Sequence, residues 1–190
     1  MTNLTLKSNH WDYSYENYKD FLAFTTQDIN NILANVNPNA PKTLLDIGSG
    51  TGQLGREFFL RGYTTVGIDG SNMAIKIAKE AAALYKDSIR YIHKNFEDFS
   101  EEESNFGLIT CKYVFAFIKD RIQFLEKANE LLSKDGTLVI ISPDVNKIPK
   151  EKAGITVDNG EMLVLLKKIF KVETYERGRD YYYICKKLSV

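Results

Sequence analysis

Residues 43–55 read TLLDIGSGTGQLG. Thr43, Leu44, Leu45 and Ile47 suit a buried strand, and Asp46 places one acid just before the strand ends. Gly48, Gly50 and Gly52 follow at alternate positions, and Gln53, Leu54 and the residues after Gly55 read as helix. A strand that breaks into a Gly-rich turn and opens a helix is the pattern of a nucleotide-cofactor loop. Missing Cβ atoms let backbone N–H groups approach a ligand, and the helix N-terminus favours anionic groups. Gly50, Gly52 and Gly55 also satisfy GxGxxG, a weak signal by itself. Asp46 points away from a dinucleotide, since a carboxylate there repels a pyrophosphate and welcomes a cationic ligand. The alternative is a tight turn that binds nothing.

Outward from this loop, strand and helix patterns alternate. Gly52 to Arg61 reads as a helix stopped by Gly62, and Thr64 to Ile68 as a second strand ending at Asp69. Ser71 or Asn72 can cap a helix running to about Tyr85. Ile89 to His93, Phe106 to Cys111 and Thr137 to Ile141 are three further strands, the last broken by Pro143. Between the latter two, Ile118 to Ser133 carries Ile122, Leu125, Ala128 and Leu132 at helical spacing, with Lys134-Asp135-Gly136 as the stop. Glu161 to Ile169 is a last helix. Phe170 to Glu176 and Tyr181 to Lys187 form an antiparallel pair around Arg177-Gly178-Arg179. The expected architecture is therefore α/β, a doubly wound, mostly parallel seven-stranded sheet with an antiparallel C-terminal strand pair.

The 190 residues suit a single domain, 1–190, with a helical cap or lid over 1–40 and a Rossmann-like core over 41–190. In the cap, Tyr15, Tyr18, Phe21, Leu22, Ile29, Ile32 and Leu33 are the candidate buried positions, and residues 1 to about 12 read as polar and mobile. The acidic run 101–104 reads as a solvated turn. Lysine plus arginine and aspartate plus glutamate both number 25, so no strong field draws the chain to nucleic acid or anionic lipid. No N-terminal apolar core and no bilayer-length run is present, which points to the cytoplasm and to no membrane partner. Cys111 and Cys185 lack metal-ligand spacing and read as buried, reduced thiols, with no metal expected.

Asp69 lies about twenty residues past the glycine turn, at the end of the neighbouring strand, where a carboxylate accepts hydrogen bonds from ribose hydroxyls. This spacing serves dinucleotides equally, and an acid that merely caps the next helix is the plain alternative. The run of apolar residues followed by D-x-G-x-G-x-G resembles motif I of the class I S-adenosylmethionine-dependent methyltransferases. The resemblance spans roughly Leu44 to the C-terminus and is strongest up to Pro143.

That resemblance implies S-adenosylmethionine as cofactor, held by Asp46, Gly48, Ser49, Gly50, Gly52, Asp69 and Gly70. It places Met73 against the adenine face, where a core methionine fits as well. It sets Asn95 and Phe96 where the family has an acid and a small apolar residue. Cys111 and Lys112 fall near the methionine part of the cofactor. Gly107 stands where the family often has aspartate, and Ala116 and Phe117 stand where many small-molecule members have histidine. The family's N-terminal lid matches His10, Trp11, Tyr13, Tyr15 and Tyr18, an aromatic group that equally suits a staple pinning a cap helix.

The expected activity is methyl transfer to a small-molecule acceptor, in line, by positioning and desolvation. No catalytic base stands out: His93 reads as structural, and Tyr181, Tyr182 and Tyr183 as strand residues. An NAD-type oxidoreductase and a catalytically silent S-adenosylmethionine-binding protein are the alternatives. A monomer and a homodimer are both compatible with the sequence.

Overall fold

The computed structural model describes residues 11–17, 24–85, 87–100, 105–149 and 154–188. His10, Tyr18, Phe21, Leu22, the polar N-terminus and the acidic run 101–104 lie outside the described residues.

Seven strands form one sheet in the order β3-β2-β1-β4-β5-β7-β6. They are β1 (Thr43–Ile47), β2 (Thr64–Asp69), β3 (Ile89–His93), β4 (Phe106–Lys112), β5 (Leu132–Pro143), β6 (Phe170–Arg177) and β7 (Asp180–Lys187). β1 runs parallel to β2, β2 to β3, and β4 to β5, whereas β7 is antiparallel to both β5 and β6. Helix α1 covers 11–17; α2 is Thr26–Asn35, α3 Gln53–Phe59, α4 Asn72–Ala81, α5 Arg121–Leu131 and α6 Asn159–Leu166. Among the described residues, no helix is long and apolar enough to cross a membrane.

The chain divides into two compact units, residues 1–33 with 42–101, and residues 34–41 with 102–190. In the first, Leu44, Leu45 and Ile47 of β1 are wholly buried, each side chain contributing about 1.5–3 kcal/mol. Ile29 and Ile32 of α2 are buried as well, and Leu33 only partly. Helix α2 opens with a reciprocal cap: Thr25 donates its N–H and hydroxyl to Asp28 Oδ2 at 2.7 and 2.8 Å, and Asp28 N–H donates to Thr25 Oγ1. The residue just before it is tied down too. Phe24 N–H donates to Gln53 Oε1 at 2.7 Å, and Gln53 Nε2 donates to Phe24 O at 2.9 Å.

In the second unit the structure corrects the reading of 118–136. Helix α5 starts at Arg121, capped by Asp120, and ends at Leu131. Its buried face is Phe124, Leu125, Ala128 and Leu131, while Ile122 is exposed. Leu132 turns extended and pairs with Phe106, opening β5 five residues earlier than the apolar spacing suggests. Lys134-Asp135-Gly136 is therefore a strand irregularity, across which the register jumps from Phe106–Leu132 to Leu108–Thr137. A Cβ on Gly136 would lie 2.7 Å from Phe106 O. Backbone pairing with β4 thus overrides a local helix-stop signal.

Smaller corrections concern the ends of elements. Helix α3 is shorter than the expected Gly52–Arg61, and α6 begins at Asn159 under an Asp158 cap and stops at Leu166. The helix after Ser71 ends at Ala81 and continues as a 3₁₀ turn, Ala83–Tyr85. Tyr182 and Tyr183, on opposite faces of β7, are both fully buried, and so are the free thiols of Cys111 and Cys185.

Gly107 has a plain steric cause. A Cβ there would sit 1.8 Å from Pro41 O, so the segment preceding β1 crosses directly over this point of β4. No aspartate fits. Gly107→Ala should lower the free energy of urea unfolding by roughly 1–3 kcal/mol or more, because backbone and not a flexible side chain must yield. An unfolding midpoint unchanged from the parent would show that the crossing is loose.

Candidate functional site

The glycine turn is built from three left-handed residues, Gly48, Gly50 and Gly52, at φ of +74°, +53° and +77°. Side chains rarely tolerate this region, which explains the alternation of glycine in the sequence. The turn's N–H groups point into the protein. Gly48 and Ser49 donate to Ile68 O at 2.8 and 3.0 Å, Gly52 donates to Ser49 O at 2.9 Å, and Gly50 donates to Asp69 Oδ2 at 2.9 Å. The expectation that these amides face a ligand is thus corrected. The cause is that β2 lies close: Ile68 O and the Asp69 carboxylate accept three of the four N–H groups, and Ser49 O within the turn accepts the last.

The space freed by the missing Cβ atoms is occupied by tyrosines. A Cβ on Gly52, Gly55 or Gly67 would fall 2.4, 2.6 or 2.5 Å from the Tyr91 side chain. The Tyr91 ring therefore lies under the turn, and its hydroxyl donates to Gly52 O at 2.7 Å. Burial, with the nearby charge of Asp46, pushes the Tyr91 phenol well above its ordinary range. Asp46 itself is 3% exposed and sits opposite Gly67 in the β1–β2 register. At the outer side of the turn, a Cβ on Gly50 would lie 2.9 Å from the Tyr15 hydroxyl.

Asp69 ties this turn to α4. While Oδ2 holds Gly50 N–H, Oδ1 accepts from Ser71 N–H at 2.8 Å. Burial pushes its carboxyl above the usual range, and the two backbone donors and His93 work in the opposite direction. His93, paired with Asp69 in the β2–β3 register, places Nε2 3.1 Å from Gly70 O. Asn95 is exposed with its Oδ1 against Gly70, such that a Cβ there would be 2.6 Å away. The Phe96 side chain is buried and begins a 3₁₀ turn, and Met73 is half-buried at the start of α4.

Helix α1 bears on the same place. Asp12 Oδ1 accepts from the Ser71 hydroxyl and from Met73 N–H, the latter at 3.0 Å, while Ser71 Oγ caps α4 by accepting from Ala74 N–H at 3.1 Å. An acid at an α4 N-terminus is favoured by the helix dipole. Trp11 is half-buried and Tyr13 exposed. So Asp46, Gly48, Ser49, Gly50, Gly52, Asp69, Gly70, Met73, Asn95, Asp12 and Tyr15 gather in the first unit. Asp12 and Tyr91 were not singled out in the sequence; no local spacing links either of them to the turn.

Cys111 and Lys112 belong to the second unit. Cys111 is fully buried inside β4, and Lys112 ends the strand with Nζ 5.1 Å from the Tyr113 ring centroid. Tyr113 has φ +59°, the one positive φ outside glycine among the described residues. Its N–H donates to Ile141 O at 2.9 Å and its hydroxyl to Asp180 Oδ2 at 2.6 Å. The long loop after Ser142 is pinned at its base, where Asp144 bridges Val157 and Asp144 N–H donates to Arg179 O. Among the described residues, no cluster of three or more His, Cys, Asp or Glu side chains could hold a metal.

A mostly parallel sheet with this strand order, carrying a glycine turn after β1 and an acid at the end of β2, defines a Rossmann-like cofactor-binding protein. The family of methyltransferase domains matches residues 38–185, most of the chain. The chain belongs to that family, within the class I S-adenosylmethionine-dependent methyltransferases. It is 32% identical over 102 residues to a mitochondrial ubiquinone biosynthesis O-methyltransferase of Schizosaccharomyces pombe, covering 52% of this chain and 37% of that one. The corresponding enzyme of Actinobacillus pleuropneumoniae is 29% identical over 102 residues, covering 51% and 44%. The matches thus span less than half the length of these relatives. A similar fold is that of the Burkholderia thailandensis 1,6-didemethyltoxoflavin-N1-methyltransferase with bound 1,6-didemethyltoxoflavin and S-adenosylhomocysteine. Its TM-score is 0.77 at 16% identity, over 97% of this chain and 88% of that one.

Burial and the bond to Asp180 push the Tyr113 phenol up to about 12. Its neutral form therefore supports folding below the ordinary phenol range, and that support is lost as pH rises through about 12. The difference between spectrophotometric titrations of the parent and Tyr113→Phe should show a midpoint near that value. A midpoint at the ordinary tyrosine pKa, roughly 10, would mean that the hydroxyl is not held.

Proposed function

We propose that this chain binds S-adenosylmethionine at the glycine turn and transfers its methyl group to a small-molecule acceptor. The observation that carries this reading is the inward orientation of the turn's amides beside two carboxylates, Asp46 and Asp69. Such a site offers no cradle for a pyrophosphate and a favourable field for a cation. Bound S-adenosylmethionine supplies a methyl group already activated on a sulfonium. Asp69, whose two oxygens keep further acceptor capacity beyond the two N–H bonds, is assigned to the ribose hydroxyls. Gly70, Met73, Asn95 and the Phe96 backbone are assigned to the adenine, and Gly48, Ser49, Gly50 and Gly52 to the wall of the pocket. The dinucleotide alternative loses its anion site. Of the two grounds for the silent-binder alternative, the acid missing at Gly107 has a steric cause in Pro41, and the absent histidines at Ala116 and Phe117 stand.

Calorimetry with S-adenosylhomocysteine should give micromolar binding, about 8 kcal/mol. Asp69→Ala should weaken it by about 2–3 kcal/mol through loss of charge-assisted hydrogen bonds, and Asn95→Ala by less. Binding of NAD in place of S-adenosylhomocysteine would sink the reading, and equal losses from the two variants would misplace the adenine.

Helix α1 is the candidate lid, covering the site from Asp12 to Tyr15. Support comes from the Asp12 bonds to Ser71 and Met73 and from the Tyr15 hydroxyl in the space above Gly50, which a ligand reaching the turn must share or displace. Exclusion of water by such a segment favours methyl transfer. Hydrogen exchange at 11–17 should slow when S-adenosylhomocysteine is added. Equally slow exchange in the free and bound protein would make α1 a permanent cap.

A further inference from the structure

Strand β3, at the edge of the sheet, supplies two side chains from one face, Tyr91 and His93. Tyr91 fills the space under the glycine turn, and His93 reaches the other loop of the first unit's site, Asp69-Gly70-Ser71. There the Gly70–Ser71 peptide group is held at both its ends. Its carbonyl oxygen lies 3.1 Å from His93 Nε2, and its N–H donates to Asp69 Oδ1 at 2.8 Å. Because the group is planar, one contact sets the angle of the other. Lys94 N–H donates to Asp69 O at 3.0 Å and keeps the imidazole beside that strand end. Glycine at 70 leaves the peptide free to rotate once either contact is lost. Charge points the same way. Burial works against the ionised form of Asp69, and Asp12 of α1, a second acid, adds to this. His93 works in the opposite direction, together with the two backbone N–H groups. An imidazole gains its charge as the medium turns acid, the direction in which a carboxylate loses its own.

We propose that His93 is a positioning residue for the ribose end of the cofactor. Its ring nitrogen fixes the Gly70–Ser71 peptide, and its charge keeps Asp69 ionised as pH falls. The inference rests on the cofactor reading above and adds a pH range to it. Hydrogen bonds from ribose hydroxyls are stronger to a carboxylate than to a neutral carboxyl group. Affinity is therefore full where Asp69 is ionised and declines as falling pH protonates it. A cation at position 93 favours the ionised form, so it moves that decline to lower pH. The imidazole thus takes up its charge in the range where the carboxylate needs support.

The test is calorimetry of S-adenosylhomocysteine with the full chain, from about pH 8 down to about pH 5, for the parent, His93→Leu and His93→Gln. At the upper end of the range His93→Leu should weaken binding about threefold, the order of one exposed hydrogen bond. His93→Gln keeps an N–H donor and should restore most of that affinity. Both variants lack the charge, so in both the affinity should begin to decline at a higher pH than in the parent. That separation of hydrogen bond from charge is one a merely structural histidine would not give. Urea unfolding midpoints report that each variant is folded. Acid declines that coincide in all three proteins, or a glutamine that restores nothing, overturn the proposal. Failure of S-adenosylhomocysteine to bind the parent chain would instead overturn the cofactor assignment, so the two failures are distinct.

Discussion

The carboxylate of Asp69 holds the first unit of this chain in register. One oxygen accepts from Gly50 N–H and the other from Ser71 N–H, so a single side chain joins the turn after β1 to the start of α4. Without it, two buried donors would be left unpaired, each costing about 1–3 kcal/mol. Tyr91 supports the same turn from beneath. Three glycines, Gly52, Gly55 and Gly67, leave the volume its ring fills, and its hydroxyl donates to the Gly52 carbonyl. Two of the glycines in a cofactor-loop pattern are thus required by a neighbouring side chain rather than by the cofactor.

The second unit is organised by backbone pairing. β5 is twelve residues long, paired in parallel with β4 on one side and antiparallel with β7 on the other. Its central residues Leu138, Val139, Ile140 and Ile141 are buried on both faces of the sheet, as are Tyr182 and Tyr183 of β7. The same ladder brings Asp180 opposite Pro143, next to the end of β4 where Tyr113 turns. The chain reverses between β6 and β7 at Gly178, φ +61°, immediately before Arg179.

Much of the strand layout was legible because β-branched runs are bounded by Asp, Asn or Gly. β1 and β3 fall at the expected residues, and β2 and β4 extend one residue further. The start of β5 was not legible. Leu-Leu-Ser-Lys-Asp-Gly reads locally as a helix end, and only pairing with Phe106 reveals Leu132 as strand. In the site, Asp69 and the alternating glycines announce themselves by spacing. Asp12 and Tyr91 do not, since Asp12 reaches the start of α4 and Tyr91 the glycine turn from tens of residues away, through side-chain hydrogen bonds. The φ of Tyr113 has no sequence signal at all, tyrosine being an ordinary strand residue.

The crossing of Pro41 over Gly107 bears on how relatives of this chain are compared. A carbonyl oxygen 1.8 Å from where a side chain would begin leaves position 107 without any choice. A homologue with aspartate there must route its chain differently on the way into β1. Scoring that column for an acid therefore tracks the course of a loop sixty-odd residues earlier, and the acid's presence or absence is uninformative about chemistry unless that loop is aligned as well.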